Sequence, residues 1–225
     1  MKVEHITLAY GNKNILKDTN IQIAPGEFVF LIGSSGSGKT SFIKMLIGDL
    51  KPKSGKFSIK EDKDVYAYTE KELLAYRRNI GVIFQDYKLL RSKTVRENVA
   101  FAMEVSGYKD SYIEEKIPEI LSRVGLLNKK ESFVETLSGG EAQRISIARA
   151  LIHDPEIIIG DEPTGNLDPH NAEDIMNLLT ELNKQGKTII IATHDDRIVN
   201  RLKKRVITFK DGKITSDREN GGYEL

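Results

Sequence analysis

The stretch Gly33-Ser34-Ser35-Gly36-Ser37-Gly38-Lys39-Thr40 constrains this chain more than any other. It follows a largely apolar run, Glu27 to Ile32, and leads into a segment from Thr40 to Leu50 that reads as a helix. A buried strand, a glycine-rich turn and a helix in that order make the phosphate-binding pattern G-x-x-x-x-G-K-[ST]. Glycines let the backbone curl so that successive N–H groups point inward at phosphate oxygens. The helix adds the positive end of its dipole. In such a loop Lys39 reaches the β- and γ-phosphates and the Thr40 hydroxyl ligates Mg²⁺, with Ser41 next in line. The chain is therefore expected to bind a nucleoside triphosphate.

Composition narrows the setting. The 225 residues suit one large domain, or one domain with an inserted lobe. A net charge of +1 gives no reason to expect nucleic acid as a partner. The absence of cysteine removes disulfides and thiolate metal sites and suits a reducing compartment. No apolar run approaches the length of a membrane span, and Met1-Lys2-Val3-Glu4-His5 has no apolar signal region. Any membrane role is expected to run through a partner.

The pattern along the chain is α/β. Val3 to Tyr10 alternates, which predicts a strand with Glu4, Ile6, Leu8 and Tyr10 on one side; Ile21 to Ile23 and Gly55 to Ile59 are further short strands. A helix over Lys71 to Arg78 and a buried strand over Gly81 to Phe84 follow. From Gln85 to His153 the chain becomes mostly helical. Thr94-Val95-Arg96-Glu97 is a capping box opening a helix through Val105. Asp110 to Val124 carries Ile113, Ile117, Ile120 and Val124 on one face, with a kink expected at Pro118. Ser138 to Glu141 has capping-box spacing before a helix to Ile152. Strands then return at Ile157 to Ile159 and Thr188 to Ala192, with a helix opened by Asp168-Pro169 between them. Another helix spans Asp196 to Leu202, and a hairpin turns at Asp211-Gly212. Continuous apolar strands between helices imply a mainly parallel sheet covered on both faces, with an antiparallel portion and an inserted helical lobe. The expected division is a core lobe at about 1–85 and 154–215, a helical lobe at about 86–153, and a polar tail, 216–225, frayed at Gly221-Gly222.

Asp161 and Glu162 end the third of these buried strands, and ligands gather at the carboxyl ends of strands in such a sheet. Asp161 is placed to hold Mg²⁺ and Glu162 to orient or deprotonate the attacking water. Gln85, just past the Gly81–Phe84 strand, can reach the metal or the water with a side-chain oxygen. Leu137-Ser138-Gly139-Gly140-Glu141 forms an anion site at a helix N-terminus, without bulky side chains in the way. Its anion is not evident from the residues alone, because the phosphate loop already serves the chain's own nucleotide.

Together these motifs resemble those of ABC-system ATPases, with a P-loop fold of the ABC type, over essentially the whole chain from Tyr10 to Gly212. The resemblance implies that Ser138, Gly139, Gly140 and Glu141 complete the partner subunit's ATP site, so that two copies meet head to tail around two ATPs with Asp168 at the seam. It implies that His194 contacts the γ-phosphate and that Tyr10 stacks on adenine. The segments Ile83 to Leu90, Thr94 to Ala100, Val124 to Leu127, Asp161 to Asp168 and Ala192 to Asp195 are most similar to the cell-division branch of the family. That branch implies an integral, FtsX-type membrane subunit docking near Gln85–Leu90, a position on the cytoplasmic face of the bacterial membrane, and control of cell-wall hydrolysis. Related alternatives are lipoprotein extraction, tripartite export and a nucleotide-gated clamp. A soluble chromosome or DNA-repair ATPase would carry a long coiled coil between the phosphate loop and the Ser138 segment, and no sustained heptads occur there.

Overall fold

A computed structural model describes residues 1–60 and 63–224. The chain opens with β1 (Lys2–Tyr10), β2 (Lys13–Gln22) and β3 (Phe28–Ile32), then α1 (Lys39–Leu46), β4 (Ser54–Ser58), α2 (Glu70–Arg78) and β5 (Ile80–Phe84). Three longer helices follow: α3 (Val95–Glu104), α4 (Asp110–Arg123) and α5 (Gly139–Leu151). The remainder is β6 (Ile157–Asp161), α6 (Pro169–Lys184), β7 (Thr188–Ala192), α7 (Asp196–Leu202), β8 (Arg205–Lys210) and β9 (Lys213–Arg218).

Two sheets result. One is antiparallel, in the order β2-β1-β4; the other has six strands in the order β5-β6-β7-β3-β8-β9, all parallel except β9. The large sheet separates two apolar clusters. Phe28, Phe30 and Ile32 of β3 face the cluster built with α3 to α6, while Val29 and Leu31 face the one built with α1 and the small sheet. Both faces are covered, which is why these strands read as unbroken apolar runs.

β1 departs from simple alternation. His5 takes a positive φ of 51°, and the pairing with β4 shifts between Glu4 and Thr7. This bulge changes which face the residues on either side of it present. Val3, Ile6 and Leu8 are buried, whereas Glu4 and Tyr10 lie off the buried face. β2 is also longer than the short Ile21–Ile23 strand expected, because Gly11-Asn12 turns β1 directly into it.

In the helical segment, Thr94 accepts a hydrogen bond from Glu97 N while the Glu97 carboxylate accepts from Thr94 N, as the capping-box pattern requires. α4 continues through Pro118 as one helix, burying Ile113, Ile117, Ile120 and Leu121. Pro118 itself is exposed, so the carbonyl it leaves unpaired lies on the solvent side.

The end of the chain differs from a frayed tail. β9 extends to Arg218, Gly221 is buried with its N–H donating to Lys204 O at 3.0 Å, and Tyr223 packs against the larger cluster. Leu225 lies outside the described residues.

Candidate nucleotide site

The site is assembled by register. Phe84 of β5 pairs with Asp161 of β6, Asp161 with Ala192 of β7, and Ala192 with Leu31 of β3. One row across four adjacent strands thus ends at a common level. Just past that row the chain supplies Gln85, Glu162, His194 and the start of the phosphate loop. Residues 33–41, Gln85, Asp161, Glu162 and His194 line one cleft of about 700 Å³, joined by Lys13, Ile15 and Tyr223.

The loop already has the shape that phosphate requires. Gly33, Gly36 and Gly38 have φ of 147°, 78° and 110°. At Gly33 a Cβ would fall 2.2 Å from the Phe209 carbonyl oxygen, so no other residue fits without moving β8. Lys39 folds back on the loop and donates to Gly33 O at 2.6 Å and Ser34 O at 3.2 Å. Burial lowers its pKa, an effect opposed by the charges of Glu162 and Asp161. The buried Ser37 hydroxyl has no partner in the protein. A buried hydroxyl without a partner, in a loop with three positive-φ glycines, leaves a donor that a phosphate oxygen would satisfy.

Beside the loop, Thr40 Oγ1 donates to Asp161 Oδ1 at 3.3 Å. Burial raises the Asp161 pKa, and the neighbouring Glu162 charge adds to the rise. Glu162 adopts a left-handed φ of 51°, with its N–H bonded to Ala192 O at 2.9 Å. Its carboxylate meets His194 twice, at Nδ1 (2.9 Å) and at the backbone N–H (3.3 Å). Gln85 and Asn166 exchange hydrogen bonds: Asn166 Nδ2 donates to Gln85 O at 2.9 Å, and Gln85 Nε2 donates to Asn166 Oδ1 at 3.4 Å.

The second set of expected residues is brought together elsewhere. Ser138 caps α5, accepting from Glu141 N, and Glu141 is paired with Lys129 at 2.5 Å. Asp168 caps α6 through Asn171 N. The two helix starts touch: a Cβ on Gly140 would lie 2.4 Å from Asn171 Oδ1, and one on Gly139 would lie 3.2 Å from the Tyr87 hydroxyl. None of these residues lines the cleft, and Ser138, Gly139 and Asp168 are exposed. Tyr10 is also outside the lining; it is 49% exposed and pairs with Lys13, which does line the cleft.

Sequence reasoning passed over Lys13, Ile15, Asn166 and Tyr223. The Gly11-Asn12 pair is a hairpin signal that would have carried β2 to the cleft. No local pattern announces Tyr223, which reaches the cleft by a path set in tertiary structure.

The sequence profile of the ABC transporter family matches residues 16–165. The cell division ATP-binding protein FtsE of Bacillus subtilis is 46% identical over 99% of this chain and 98% of its own length. FtsE of Mycobacterium tuberculosis is 42% identical over 99% and 97%. This chain belongs to the FtsE branch of the ABC transporter family. Solved structures agree with the fold. The dimeric post-hydrolysis state of the ATP-binding cassette MJ0796, bound to ADP and Pi, is 33% identical, with a TM-score of 0.86 over 99% of both chains. CbiO1 of Clostridium perfringens, part of the transporter complex cbiONQ, is 34% identical with a TM-score of 0.88 over 97% of this chain and 88% of its own. The fold is that of an ABC-type P-loop ATPase, and this FtsE-branch chain is an ATP-hydrolysing enzyme.

Proposed function

We propose that this chain is the ATP-driven subunit of an FtsX-type membrane complex in cell division, and that two copies close head to tail around two ATPs. The observation that carries the reading is the separation of the two motif groups. Phosphate loop, Asp161, Glu162 and His194 share a cleft, while Ser138 and Gly139 stand exposed at a helix N-terminus outside it. A second copy would bring its own Ser138 segment to the first copy's γ-phosphate. The near full-length similarity to FtsE proteins, and the dimeric state of the MJ0796 cassette, support this arrangement.

In this reading Lys39 and the loop N–H groups hold the β- and γ-phosphates. Glu162 takes a proton from the attacking water as the terminal phosphoryl group leaves ADP, and His194 fixes the carboxylate while facing the γ-phosphate. The adjacent Thr40 hydroxyl and Asp161 carboxylate form a hard-oxygen pair suited to Mg²⁺, with Gln85 within reach of the same cleft. Mg²⁺ held by Thr40 and Asp161 would supply positive charge that offsets the charge of the phosphates. Tyr10, at the rim beside Lys13, would stack on the base.

No helix among the described residues is long and apolar enough to cross a membrane, so membrane contact would come through the partner. The expected docking segment, Gln85–Leu90, is only partly available. Leu89 packs against the larger cluster, whereas the Leu90 side chain is 37% exposed, with its backbone N–H donating to Asn98 Oδ1 at 2.8 Å. Exposed apolar side chains nearby are Leu74 on α2, Phe101 on α3 and Val105 just beyond it, and Arg78 of α2 bonds to Ser106 O. A groove there is lined by Ile47, Ile80, Val82 and Phe84 together with the charged Lys44, Asp49 and Arg77. An amphipathic helix of the membrane subunit suits this surface.

Mixing two inactive variants tests the composite site. Lys39→Ala alone and Ser138→Arg alone are each expected to be silent in an ATPase assay. Their mixture regains turnover, because one site of a mixed dimer has an intact loop and an intact partner Ser138. A mixture as silent as its components would refute the head-to-tail arrangement.

A further inference from the structure

Residues 219–224 run along α7 and β8, and Tyr223 lines the nucleotide cleft. Gly221 N donates to Lys204 O at 3.0 Å, Tyr223 N to Asn200 Oδ1 at 2.9 Å, and Thr208 Oγ1 to Glu224 O at 3.3 Å. Arg218 pairs with Glu224 across the turn. The two glycines are there for space. A Cβ on Gly221 would sit 2.9 Å from Val206 Cβ, and one on Gly222 would sit 3.0 Å from Asn200 Oδ1. The result is a close-fitting strap that delivers one aromatic side chain to the cleft wall shared with Glu162 and His194. Burial, with the charges of Glu162 and Asp196, raises the Tyr223 pKa. Asn200, which anchors the strap, belongs to α7, and the N-cap of α7 is Asp195, the residue after His194.

We propose that residues 219–224 act as a strap on α7 and that the Tyr223 ring is a positioning residue for the Glu162–His194 pair. The inference rests on the nucleotide-site reading above. The strap holds α7 at the helix turn that carries Asn200, and so fixes where the chain leaves His194. The ring fills the cleft wall next to the carboxylate and limits the positions that Glu162 and its water can take. Small misplacements of such groups cost rate rather than binding. The phosphate loop runs between β3 and α1 and makes no hydrogen bond to the strap among the described residues, so ATP affinity should be retained.

Steady-state ATPase assays and fluorescent-nucleotide binding test this on the full chain, Tyr223→Phe, Tyr223→Ala and a chain ending at Asn220, each checked by circular dichroism. Tyr223→Ala and the shortened chain should lose about tenfold or more in kcat. Nucleotide affinity should stay near that of the full chain, and Tyr223→Phe should restore turnover. Unchanged kcat in both Tyr223→Ala and the shortened chain would overturn the proposal. Joint loss of binding and turnover in Tyr223→Ala, or a Tyr223→Phe variant as slow as Tyr223→Ala, would do so too. Lys39→Ala is the separate control. If it hydrolyses ATP normally, the nucleotide-site reading fails instead.

Discussion

His194 engages both carboxylate oxygens of Glu162, Oε1 from its ring Nδ1 at 2.9 Å and Oε2 from its backbone N–H at 3.3 Å. The contact spans two neighbouring strand ends and is made possible by the left-handed backbone at Glu162. Glu162→Gln preserves the size of the side chain and one acceptor oxygen but removes the base. Turnover should fall by about 100-fold or more while ATP binding persists. Light scattering with ATP and Mg²⁺ should then report a doubled mass. A variant that binds ATP yet remains monomeric at saturation would argue against closure around nucleotide.

Ser138→Arg should separate binding from hydrolysis. The arginine would project from the α5 N-terminus, away from the chain's own cleft, so the monomer should bind fluorescent ATP as the wild type does. Hydrolysis should collapse, because the bulky cation blocks the γ-phosphate of the facing copy. Loss of nucleotide binding in this variant would place Ser138 in the chain's own site.

Val105→Asp and Phe101→Asp address the membrane partner. Both side chains are exposed, 71% and 46%, so the fold should shift by only about 0.5 kcal/mol. Co-purification with the FtsX-type subunit should drop sharply, with ATPase activity of the isolated chain unchanged. Wild-type recovery of the complex in both variants would move the docking surface elsewhere.

Acid stability offers a test of the helix caps. Bonds from Thr94 and the neighbouring Lys93 hold the Glu97 pKa down at about 2. Its ordinary value is 4.5, so its contribution is present above pH 4.5 and is lost as pH falls toward 2. Glu97→Gln should be less stable than the wild type in urea at pH 7, and the gap should close by about pH 2. A gap that does not change with pH would mean that the charge has no part in the cap.

The most legible features were those encoded locally. The phosphate loop, the Thr94 and Ser138 capping boxes and the Asp168-Pro169 helix start each need only a few adjacent residues to be recognised. The Thr69–Glu72 box is equally local and shows that a polar stretch can hide a well-built helix start. What escaped notice depends on distant partners. The β1 bulge at His5 is set by pairing with β4, and β2 is masked by its alternating lysines, asparagines and aspartate. The strap owes its path to Asn200 and Lys204, which no pattern near Gly221 could reveal. The Gln85–Leu90 segment was half legible: its apolar residues were visible, but the packing of Leu89 against the larger cluster was not.

α5 also has a mechanical consequence. Its exposed start carries Ser138, and its far end is pressed against the sheet, where a Cβ on Gly81 would meet the Ala150 carbonyl oxygen at 2.5 Å. Its 13 residues make a rod about 20 Å long. With the Gly81–Ala150 contact as fulcrum, a tilt of about 3° displaces Ser138 by about 1 Å on a helix of that length. In the proposed head-to-tail arrangement, that is enough to make or break a hydrogen bond from Ser138 to the facing copy's phosphate. A rotation too small to disturb the packing of the helical lobe can therefore register at the far end of the rod as the difference between an open and a closed site.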